Sequence, residues 1–535
     1  MHHLAERVNQ ISSAVTRIVL FLLSLAGTPV CAQTFITPIE HVIVVVQENR
    51  TTDILFQDQN LIAKGADIQR APDAQPTPLI VCWNPAHTHA SWEVEYTLQQ
   101  RGRGFCGVEV MASKVCQQPA CPPDTYVENT PSDPTIQPYW DIAEWYGFAN
   151  YMFQTNQGPS LPAHEFLFSG TSAPVAFGGV GTVLLPLYKY FNAENPGTGN
   201  NADIGCIATS DRQALDIDPI GNESYAYQPR FEGYNYVLPP GYPCYEHQTL
   251  TDQLKRAGVS WKYYGYSDPA SLWNTPNAIY HICQPDKPGG KCLGSDWQSV
   301  DLKDWDVLTD VSSPTCNLAA VSWVIPDGAY SDHPGGTYGG GGPDWVANII
   351  NAVGESKCKN ADGTSYWDST AILITWDDWG GFYDHVLPFD VLAGGSCSQW
   401  GCGYVYGFRV PLLVVSAYTG TDTAGYISGT QSQGGKTPPY IHDFGSILNF
   451  IQYVFRLPQG GIGPGKWPFA DHWAPDYWAN GSCSKQACLY SLSDFFHFQQ
   501  SRKFKQIPIQ TFRPRDYVNL SGFGGHASEP DLEGP

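Results

Sequence analysis

The sequence predicts an α/β protein whose mostly parallel central β-sheet is covered by helices on both faces. Four short apolar runs rich in β-branched residues are typical of strands that are buried on both sides: 42–46, 320–325, 371–375 and 410–416. Segments with helical periodicity alternate with these runs. This alternation favours a layered α/β sheet over an all-α or all-β domain.

Three segments predict amphipathic helices between or after the strands. Residues 250–257 carry leucines one turn apart and are followed by Gly258, which predicts a short helix that ends at this glycine. Residues 345–353 have the same apolar spacing and are followed by Gly354. A third helix is predicted to begin at Asp443, a residue type that often caps helix N-termini.

The predicted domain organisation is one large domain with additions at its ends. Residues 33–475 contain all the predicted strands and helices and are expected to form the main domain. Within it, the aromatic stretch of residues 190–245 has no clear period, and we expect a lid or a disulfide-held flap there. Residues 476–535 are expected to pack on the main domain as a C-terminal extension.

The charge of the chain argues against a nucleic-acid partner. Of its 535 residues only 15% are charged, and 51 Asp and Glu against 29 Lys and Arg give a net charge of −22. The chain contains no basic run that would neutralise a phosphate backbone. A nucleic-acid-binding function is therefore disfavoured.

The N-terminus has the pattern of a signal peptide, which we predict over residues 1–32. Arg17 precedes an apolar run at residues 18–26, a helix-breaking Gly-Thr-Pro follows, and Val30-Cys31-Ala32 places small residues at a cleavage position. A stable membrane anchor is the alternative, but an anchor needs about 20 apolar residues. We therefore expect a secreted or periplasmic protein without a stable membrane anchor.

Cleavage of this peptide would remove one of the 15 cysteines and leave an even number. In an oxidising compartment, cysteines that lie close together in sequence predict short disulfides. Zinc binding is the alternative, but the sequence has no Cys-x2-Cys spacing, so disulfides are favoured. The predicted pairs are Cys116/Cys121, Cys283/Cys292, Cys397/Cys402 and Cys483/Cys488.

Polar residues that follow two of the predicted strands suggest a metal site. Glu48 and Asn49 follow the first strand, and Asp377 and Asp378 follow the run 371–375. Open α/β sheets bind ligands beyond the carboxyl ends of their strands, where these side chains would lie together. Three carboxylates and an amide oxygen suit a hard divalent cation. The alternative is that each group only caps the helix or turn that follows it.

Ser160 is a candidate nucleophile. It follows a Gly-Pro turn and precedes a predicted helix start at residues 163–167, where backbone N–H groups favour an anion. The alternative is that Ser160 only caps this helix. The segment does not match the nucleophile elbow of α/β-hydrolases, because the residue two positions on is Pro162 and not glycine.

Two loops carry histidines that could act with these groups. His87 and His89 lie in a proline-rich loop, and His333 lies in a Ser-Asp-His-Pro segment after the strand that ends at Ile325. Histidines in such loops are usually solvated side chains. Beside candidate carboxylates they would instead supply donors to a phosphoryl oxygen as negative charge develops on it.

These segments together resemble the bacterial phosphoesterase family of phospholipases C and acid phosphatases. The stretch from His41 to Phe56, whose core is Gln-Glu-Asn-Arg, is similar to the opening of that family. Gly158-Pro159-Ser160 is similar to its nucleophile segment, residues 331–334 to its Asp/Glu-His-Pro loop, and residues 376–386 to its carboxylate signature. The resemblance covers residues 38–460.

The resemblance implies a fold similar to that of the alkaline phosphatase superfamily. That fold is a three-layer sandwich with a central, mostly parallel sheet, here with long disulfide-stapled loop insertions. The resemblance also implies one divalent metal ion, with Ca²⁺, Mg²⁺, Fe and Zn²⁺ all open. Its implied ligands are the side chains of Glu48, Asn49, Ser160, Asp377 and Asp378.

The chemistry of the family implies roles for a serine and three histidines. Ser160 would attack phosphorus in line and form a phosphoserine that water later hydrolyses. His87, His281 and His333 would bind phosphate oxygens or protonate the leaving alcohol.

Four further histidines are alternatives or supports. His89 could take the place of His87, and His247 that of His281. His385 and His442 also fall within segments that are similar to the family, and we expect them to orient ligands.

The sequence thus predicts a secreted, metal-dependent phosphoric ester hydrolase of the acid phosphatase or phospholipase C type, with phosphate esters or phospholipids as substrates. A sulfate-ester or other transfer enzyme on the same scaffold is one alternative. A disulfide-rich secreted binding protein without catalysis is the alternative from another class. Asp377-Asp378 and Glu48-Asn49, which follow separate strands, favour an enzyme, since a binding module has no need of them.

Overall fold

A computed structural model describes most of the chain between residues 37 and 510. The predicted signal peptide lies outside the described residues, as do three of the predicted cysteine pairs, Cys116/Cys121, Cys397/Cys402 and Cys483/Cys488. The internal segments that are not described are 73, 82–83, 101–109, 112–123, 175–189, 197–203, 210–211, 218–222, 226–239, 266–270, 302, 336–340, 389–404, 437–439 and 459–491.

An eight-stranded β-sheet forms the centre of the described fold. Across the sheet the strand order is β4-β3-β5-β1-β6-β7-β2-β8, where the strands, numbered along the chain, are β1 (His41–Gln47), β2 (Gly147–Ala149), β3 (Trp261–Tyr264), β4 (Val300–Asp301), β5 (Val321–Val324), β6 (Thr370–Trp376), β7 (Leu412–Ser416) and β8 (Tyr426–Ser428). Neighbouring strands pair in parallel except at β7, which is antiparallel to both β6 and β2. The predicted α/β class with a mostly parallel sheet is therefore confirmed.

Helices and short additional strands surround this sheet. The α-helices are α1 (Thr52–Leu55), α2 (Gln59–Ala63), α3 (His89–Gln100), α4 (Gln137–Trp145), α5 (Ser160–Ser169), α6 (Leu250–Arg256), α7 (Tyr280–Cys283), α8 (Asp306–Asp310), α9 (Gly342–Glu355), α10 (Tyr366–Ser369) and α11 (Phe444–Val454). Turns of 3-10 helix are Gly205–Ile207, Thr275–Ala278, Ser295–Ser299, Gly328–Tyr330, Gln431–Gln433 and Ser493–Phe495. Short strands outside the sheet are Gln75–Thr77, Asn84–Pro85, Val110–Met111, Thr125–Val127, Met152–Phe153, Phe191–Asn192, Asp216–Ile217, Glu223–Ser224 and His442–Asp443.

Helices pack on both faces of the central sheet. Trp323 of β5 and Leu373 of β6 are in register through β1 and therefore share a face, whereas Trp376, three residues after Leu373, points to the other face. Phe168 of α5 packs against Trp323 with 5.2 Å between ring centroids. On the opposite face, Tyr139 of α4 packs against Trp376 at 5.0 Å. The prediction of a sheet covered on both faces is thus confirmed.

The three predicted helices are present, with one boundary that differs. Helix α6 ends just before Gly258, whose φ of 70° is left-handed, and Asp443 caps α11 by accepting a hydrogen bond from the Ser446 N–H. Helix α9 continues to Glu355, so the prediction that Gly354 ends it is wrong. The ring of Phe504 lies 2.2 Å from where a Cβ at position 354 would stand, so packing explains this glycine.

Three disulfides lie within the described residues. Cys283–Cys292 confirms a predicted pair. Cys206–Cys244 and Cys316–Cys358 were not predicted, because their partners are 38 and 42 residues apart in sequence. The first of these closes most of the stretch 190–245, so that stretch is held by a disulfide. Its action as a lid stays a prediction.

The described part of the C-terminal segment packs against the main fold. Phe495 and Ile507 are fully buried, and the Trp367 indole N–H donates a hydrogen bond to the Arg502 carbonyl at 3.1 Å. The predicted boundary at residue 476 lies outside the described residues. Among the described helices, none combines the length and apolar character that a bilayer crossing requires.

Loss of the Cys316–Cys358 disulfide is expected to destabilise the protein more than loss of the Cys283–Cys292 disulfide. In the chain-entropy account, Cys316–Cys358 contributes about 4 kcal/mol and Cys283–Cys292 about 2.5 kcal/mol, because the first closes the longer loop. Urea unfolding of the two paired Cys→Ser variants would measure the two losses. Equal losses, or a larger loss for the shorter loop, would contradict this account.

Candidate metal centre and nucleophile

The carboxyl ends of two neighbouring strands bring the predicted ligands together. Strands β1 and β6 pair in parallel from His41 with Thr370 to Gln47 with Trp376. The pairing continues one residue further, where the Asp377 N–H donates to the Gln47 carbonyl at 2.9 Å. The residues that follow each strand therefore leave the sheet side by side, and all four predicted ligands on these strands are buried.

Asn49 is held in a conformation that leaves its side-chain oxygen, Oδ1, without a hydrogen-bond donor. Its backbone is left-handed, with φ of 59°, and its N–H donates to Asp377 Oδ1 at 2.9 Å. The side-chain amide donates from Nδ2 to His87 Nε2 at 2.8 Å. Oδ1 of Asn49 and Oδ2 of Asp377 are both buried and have no hydrogen-bond partner. Two buried oxygens without donors are what a cation site requires.

The loop after β6 packs directly against the loop after β1. Gly380 has φ of 65°, and a Cβ at this position would lie 2.5 Å from the Asn49 carbonyl oxygen. Any side chain at position 380 would therefore separate the two loops. The Gly380 N–H also donates to Asp378 Oδ1 at 2.7 Å and so orients this carboxylate.

Ser160 lies between two of the carboxylates. It is the first residue of α5, its hydroxyl makes no capping hydrogen bond, and Pro159 occupies the N-cap position. The interpretation of Ser160 as a helix cap is therefore wrong. Its Oγ lies 3.3 Å from both Glu48 Oε2 and Asp378 Oδ2. A hydroxyl has one proton and can donate to only one carboxylate at a time.

The turn before Ser160 is fixed by hydrogen bonds to the same loops. Gln154 accepts from the Trp379 N–H at 3.0 Å and donates to the Gly158 carbonyl at 3.1 Å. Gly158 itself packs so closely on the Ala193 carbonyl that a Cβ would lie 2.0 Å from that oxygen. The position of Ser160 thus depends on the β6 loop and on the first strand of the 190–245 stretch.

The structure adds His164, which the sequence predictions did not include. His164 lies one helical turn after Ser160 on α5, and its Nε2 is 2.9 Å from Glu48 Oε1 and 3.8 Å from Asp377 Oδ2. Glu48, His164 and Asp377 form a group whose ligand atoms all lie within 4.8 Å of one another. The signal in the sequence was the i, i+4 spacing from Ser160, which places both side chains on one helix face.

The group of Glu48, His164, Asp377 and Asp378 carries more negative than positive charge. Glu48 is fully buried, and burial together with the charges of Asp377 and Asp378 raises its pKa well above the usual range. Burial lowers the pKa of His164 to about 4, so its ring is neutral at pH 7. The donors around these carboxylates therefore do not balance their charge, and the donor set fits a divalent cation.

His87 and His333, two of the predicted histidines, lie next to each other beside this group. Their ring centroids are 6.2 Å apart, and their Nδ1 atoms donate to the carbonyls of Pro85 at 2.8 Å and Pro334 at 2.7 Å. Burial lowers the pKa of His87 to about 4 and that of His333 to about 3. Because Nδ1 carries the proton in the neutral ring, each Nε2 presents a lone pair.

His281 is not brought into this group. Its Nδ1 lies 2.9 Å from Glu246 Oε1 and its Nε2 lies 3.4 Å from Asp252 Oδ2. Burial would lower the pKa of His281, but the hydrogen bonds to Asp252 and Glu246 raise it to about 10. The alternative, His247, lies beside the same acidic residues and donates to the Gln248 carbonyl at 3.1 Å.

His89, the predicted alternative to His87, and the two predicted supports, His385 and His442, occupy different places. His89 donates from Nδ1 to the Gln157 carbonyl at 2.8 Å and thus contacts the turn that precedes Ser160. His442 lies 3.1 Å from the Ser428 hydroxyl. His385 contributes to a second charged group, described next.

A buried charge network joins the two ligand loops behind the candidate metal centre. Arg409 lies 2.8 Å from Asp53 Oδ1 and 2.9 Å from Asp384 Oδ1. His385 lies 2.7 Å from Asp53 Oδ2 and 3.1 Å from Asp67 Oδ1. Asp53, Asp384 and His385 are close enough together to hold an ion, but these carboxylates already pair with Arg409 and His385. The group around Glu48 is therefore the stronger candidate for a cation site.

The fold and this group define an α/β protein with a candidate metal centre built around a serine hydroxyl. The chain belongs to the Phosphoesterase family, whose sequence model matches residues 39–458. This match confirms the resemblance that the sequence motifs indicated.

Individual relatives are bacterial phospholipases C at modest identity. The chain is 26% identical to the non-hemolytic phospholipase C of Pseudomonas aeruginosa over 272 residues, which are 46% of this chain and 35% of that protein. It is 30% identical to the non-hemolytic phospholipase C of Burkholderia pseudomallei over 254 residues, covering 40% and 32%. Phospholipase C B of Mycobacterium tuberculosis is 24% identical over 458 residues, covering 79% and 74%. The chain thus spans about a third of the length of the first two relatives.

Removal of Arg409 is expected to destabilise the fold strongly. Arg409→Met leaves Asp53 and Asp384 buried without their guanidinium partner, which costs about 3–5 kcal/mol. Urea unfolding at pH 7 measures this loss. Arg256→Met, at an exposed position at the end of α6, is the matched control and should change stability by less than about 0.5 kcal/mol. Similar values for both variants would contradict the network.

The contribution of His385 to stability is expected to depend on pH. Burial alone would lower its pKa, but the hydrogen bonds to Asp53 and Asp67 raise it to about 9. A raised histidine pKa stabilises the fold fully below the unfolded value of about 6.5 and loses this effect as pH rises through about 9. His385→Gln should therefore cost about 2 kcal/mol at pH 6 and much less at pH 10.

Urea unfolding of wild type and His385→Gln at pH 6, 8 and 10 measures this dependence. His497→Gln, at an exposed position, controls for the loss of an imidazole outside the network. A gap between wild type and His385→Gln that grows with pH would contradict the assignment.

Proposed function

We propose that this protein is a metal-dependent phosphoric ester hydrolase that acts through a phosphoserine. The observation that carries the proposal is the Ser160 hydroxyl, which lies 3.3 Å from both Glu48 and Asp378. It lies in a buried group in which two further oxygens, Asn49 Oδ1 and Asp377 Oδ2, have no hydrogen-bond partner. The names of the relatives, phospholipases C, support phosphate esters and phospholipids as the substrate class.

The residues around Ser160 prepare it for attack on phosphorus. A cation bound by Glu48, Asn49, Asp377 and Asp378 would neutralise these carboxylates and favour the deprotonated serine oxygen. Oγ of Ser160 then forms a bond to phosphorus as the bond from phosphorus to the ester oxygen breaks on the opposite side. The phosphoserine is hydrolysed by water in a second step, which restores the hydroxyl.

His87 and His333 handle the proton and the phosphate charge. Nδ1 of each is bound to a carbonyl, so Nε2 is the ring nitrogen that can take up a proton. Nε2 of His87 accepts a hydrogen bond from Asn49 Nδ2 at 2.8 Å, and protonation of His87 would break this hydrogen bond. A protonated Nε2 donates either to a phosphate oxygen or to the departing alcohol. Without substrate, burial keeps the rings of His87 and His333 neutral at pH 7. The negative charge of a bound phosphate ester favours their protonation. His281, paired with Glu246 and Asp252, stays a prediction for a phosphate contact.

The alternatives explain less of this arrangement. A binding protein without catalysis has no need of a buried serine between two carboxylates that follow separate strands. A sulfate-ester substrate would use the same nucleophile, and the experiment below includes it. Among related architectures, the helices on both sheet faces support our proposal that the fold is an alkaline phosphatase-like sandwich.

We also propose that the protein is exported. The proposal rests on the signal-peptide pattern of residues 1–32 and on the three disulfides of the described residues. Disulfides persist in oxidising compartments and are rare in the cytosol.

Replacement of the nucleophile is expected to abolish hydrolysis. Ser160→Ala should lower kcat/KM for p-nitrophenyl phosphate, and for release of phosphocholine from phosphatidylcholine, by at least about 10³-fold, because no group remains to form the phosphoserine. Ser169→Ala is the matched control, since Ser169 is buried at the other end of the same helix. The control should retain activity within about threefold of wild type.

The same assay tests the metal and the competing substrates. Chelation of wild type, or Asp378→Asn, should lower activity toward both phosphate substrates, while p-nitrophenyl sulfate should be a poor substrate. Full activity of Ser160→Ala would contradict the nucleophile. Full activity after chelation and in Asp378→Asn would contradict the metal centre, and a preference for the sulfate ester would contradict the reaction class.

A further inference from the structure

We infer that His164 is a direct ligand of the metal ion, and that the ion is a transition metal such as iron or zinc and not Ca²⁺ or Mg²⁺. The inference rests on the metal centre of the proposed function and deepens it. It concerns a residue that lies outside the predicted ligand set of Glu48, Asn49, Ser160, Asp377 and Asp378.

The distances around His164 fit a shared ion. Atoms that bind one ion at about 2.1 Å and at right angles lie about 3 Å apart. His164 Nε2 is 2.9 Å from Glu48 Oε1, and Ser160 Oγ is 3.3 Å from Glu48 Oε2. Asp377 Oδ2, 3.8 Å from His164 Nε2, has no hydrogen-bond partner. Glu48 thus has His164 on one oxygen and the nucleophile on the other.

Helix geometry directs the side chains of His164 and Ser160 toward the same carboxylates. Ser160 and His164 are both in α5, four residues apart, and therefore lie on one face of the helix. Only 2% of His164 is exposed, so solvent does not satisfy its ring. The rigid helix presents the hydroxyl and the imidazole to the carboxylates together.

A nitrogen ligand changes which ions the centre favours. Oxygen-only sets suit Ca²⁺ and Mg²⁺, whereas imidazole suits zinc, iron and other transition metals. Ca²⁺ also takes 6–8 oxygen ligands in a flexible arrangement. A compact, fully buried group that includes one imidazole therefore favours iron or zinc among the four ions that the sequence left open.

The competing explanation is that His164 only orients Glu48 through a hydrogen bond. The centre would then bind the ion with oxygen alone. A ligand and an orienting group differ in two measurable ways: the selectivity between zinc and the alkaline-earth ions, and the presence of one imidazole in the coordination shell.

The first experiment compares metal binding by metal-free wild type, His164→Gln and His41→Gln. His41→Gln is the matched control, because His41 is a buried histidine at the opposite end of β1. We expect wild type to bind Zn²⁺ more tightly than Ca²⁺ or Mg²⁺. His164→Gln should weaken Zn²⁺ binding by at least about 100-fold and leave Ca²⁺ and Mg²⁺ binding within about threefold of wild type. The control should bind all three ions as wild type does.

The second experiment is X-ray absorption of the zinc-loaded wild-type protein and of His164→Gln. The spectrum of wild type should show one imidazole in the coordination shell of zinc, and the spectrum of His164→Gln should lack it. Equal zinc affinity in wild type and His164→Gln, tighter binding of Ca²⁺ or Mg²⁺ than of Zn²⁺, or no imidazole in wild type would each overturn the inference. Loss of the imidazole signal in His164→Gln assigns it to His164 and not to His87 or His333, and absence of imidazole in wild type overturns the inference even if the variant does not fold. Since neither measurement uses turnover, failure of the hydrolase proposal would leave both results intact.

Discussion

Seven residues of β1 pair in parallel with seven of β6, and the candidate metal centre begins where that pairing stops. The strands themselves are apolar and fully buried, so their register is set by packing on both faces. Their carboxyl ends then gather three carboxylates away from water, which costs free energy and raises the pKa of Glu48. The sheet thus supplies the position, and a bound cation would supply the missing positive charge.

In the second charged group, the carboxylates are paired with positive side chains of the chain itself. Asp53, in α1, and Asp384, after β6, lie close to Arg409 and His385. One set of carboxylates is therefore complete as folded and braces the loops, whereas the other has oxygens without donors. This difference separates a structural network from a candidate metal centre, although both contain acidic residues and histidine.

The sequence predicted the ligands that depend on local rules and missed those that depend on long-range packing. Glu48 and Asp377 follow apolar strands, so their place at the sheet edge was predictable. The reversed direction of β7 was not, because an apolar run carries no sign of strand direction. His281 lies in a family-like segment, yet its side chain pairs with Glu246, and His164 gains its place only through the docking of α5 on Glu48.

The first five residues of α5 carry both Ser160 and His164, so the candidate nucleophile and the proposed metal ligand are held by one rigid element. A displacement or rotation of this helix would move the attacking oxygen and the imidazole together. The turn before α5 packs, through Gly158, against Ala193, which follows the short strand Phe191–Asn192. A shift of that strand would therefore move Gly158 and, with it, the start of the helix that carries both side chains.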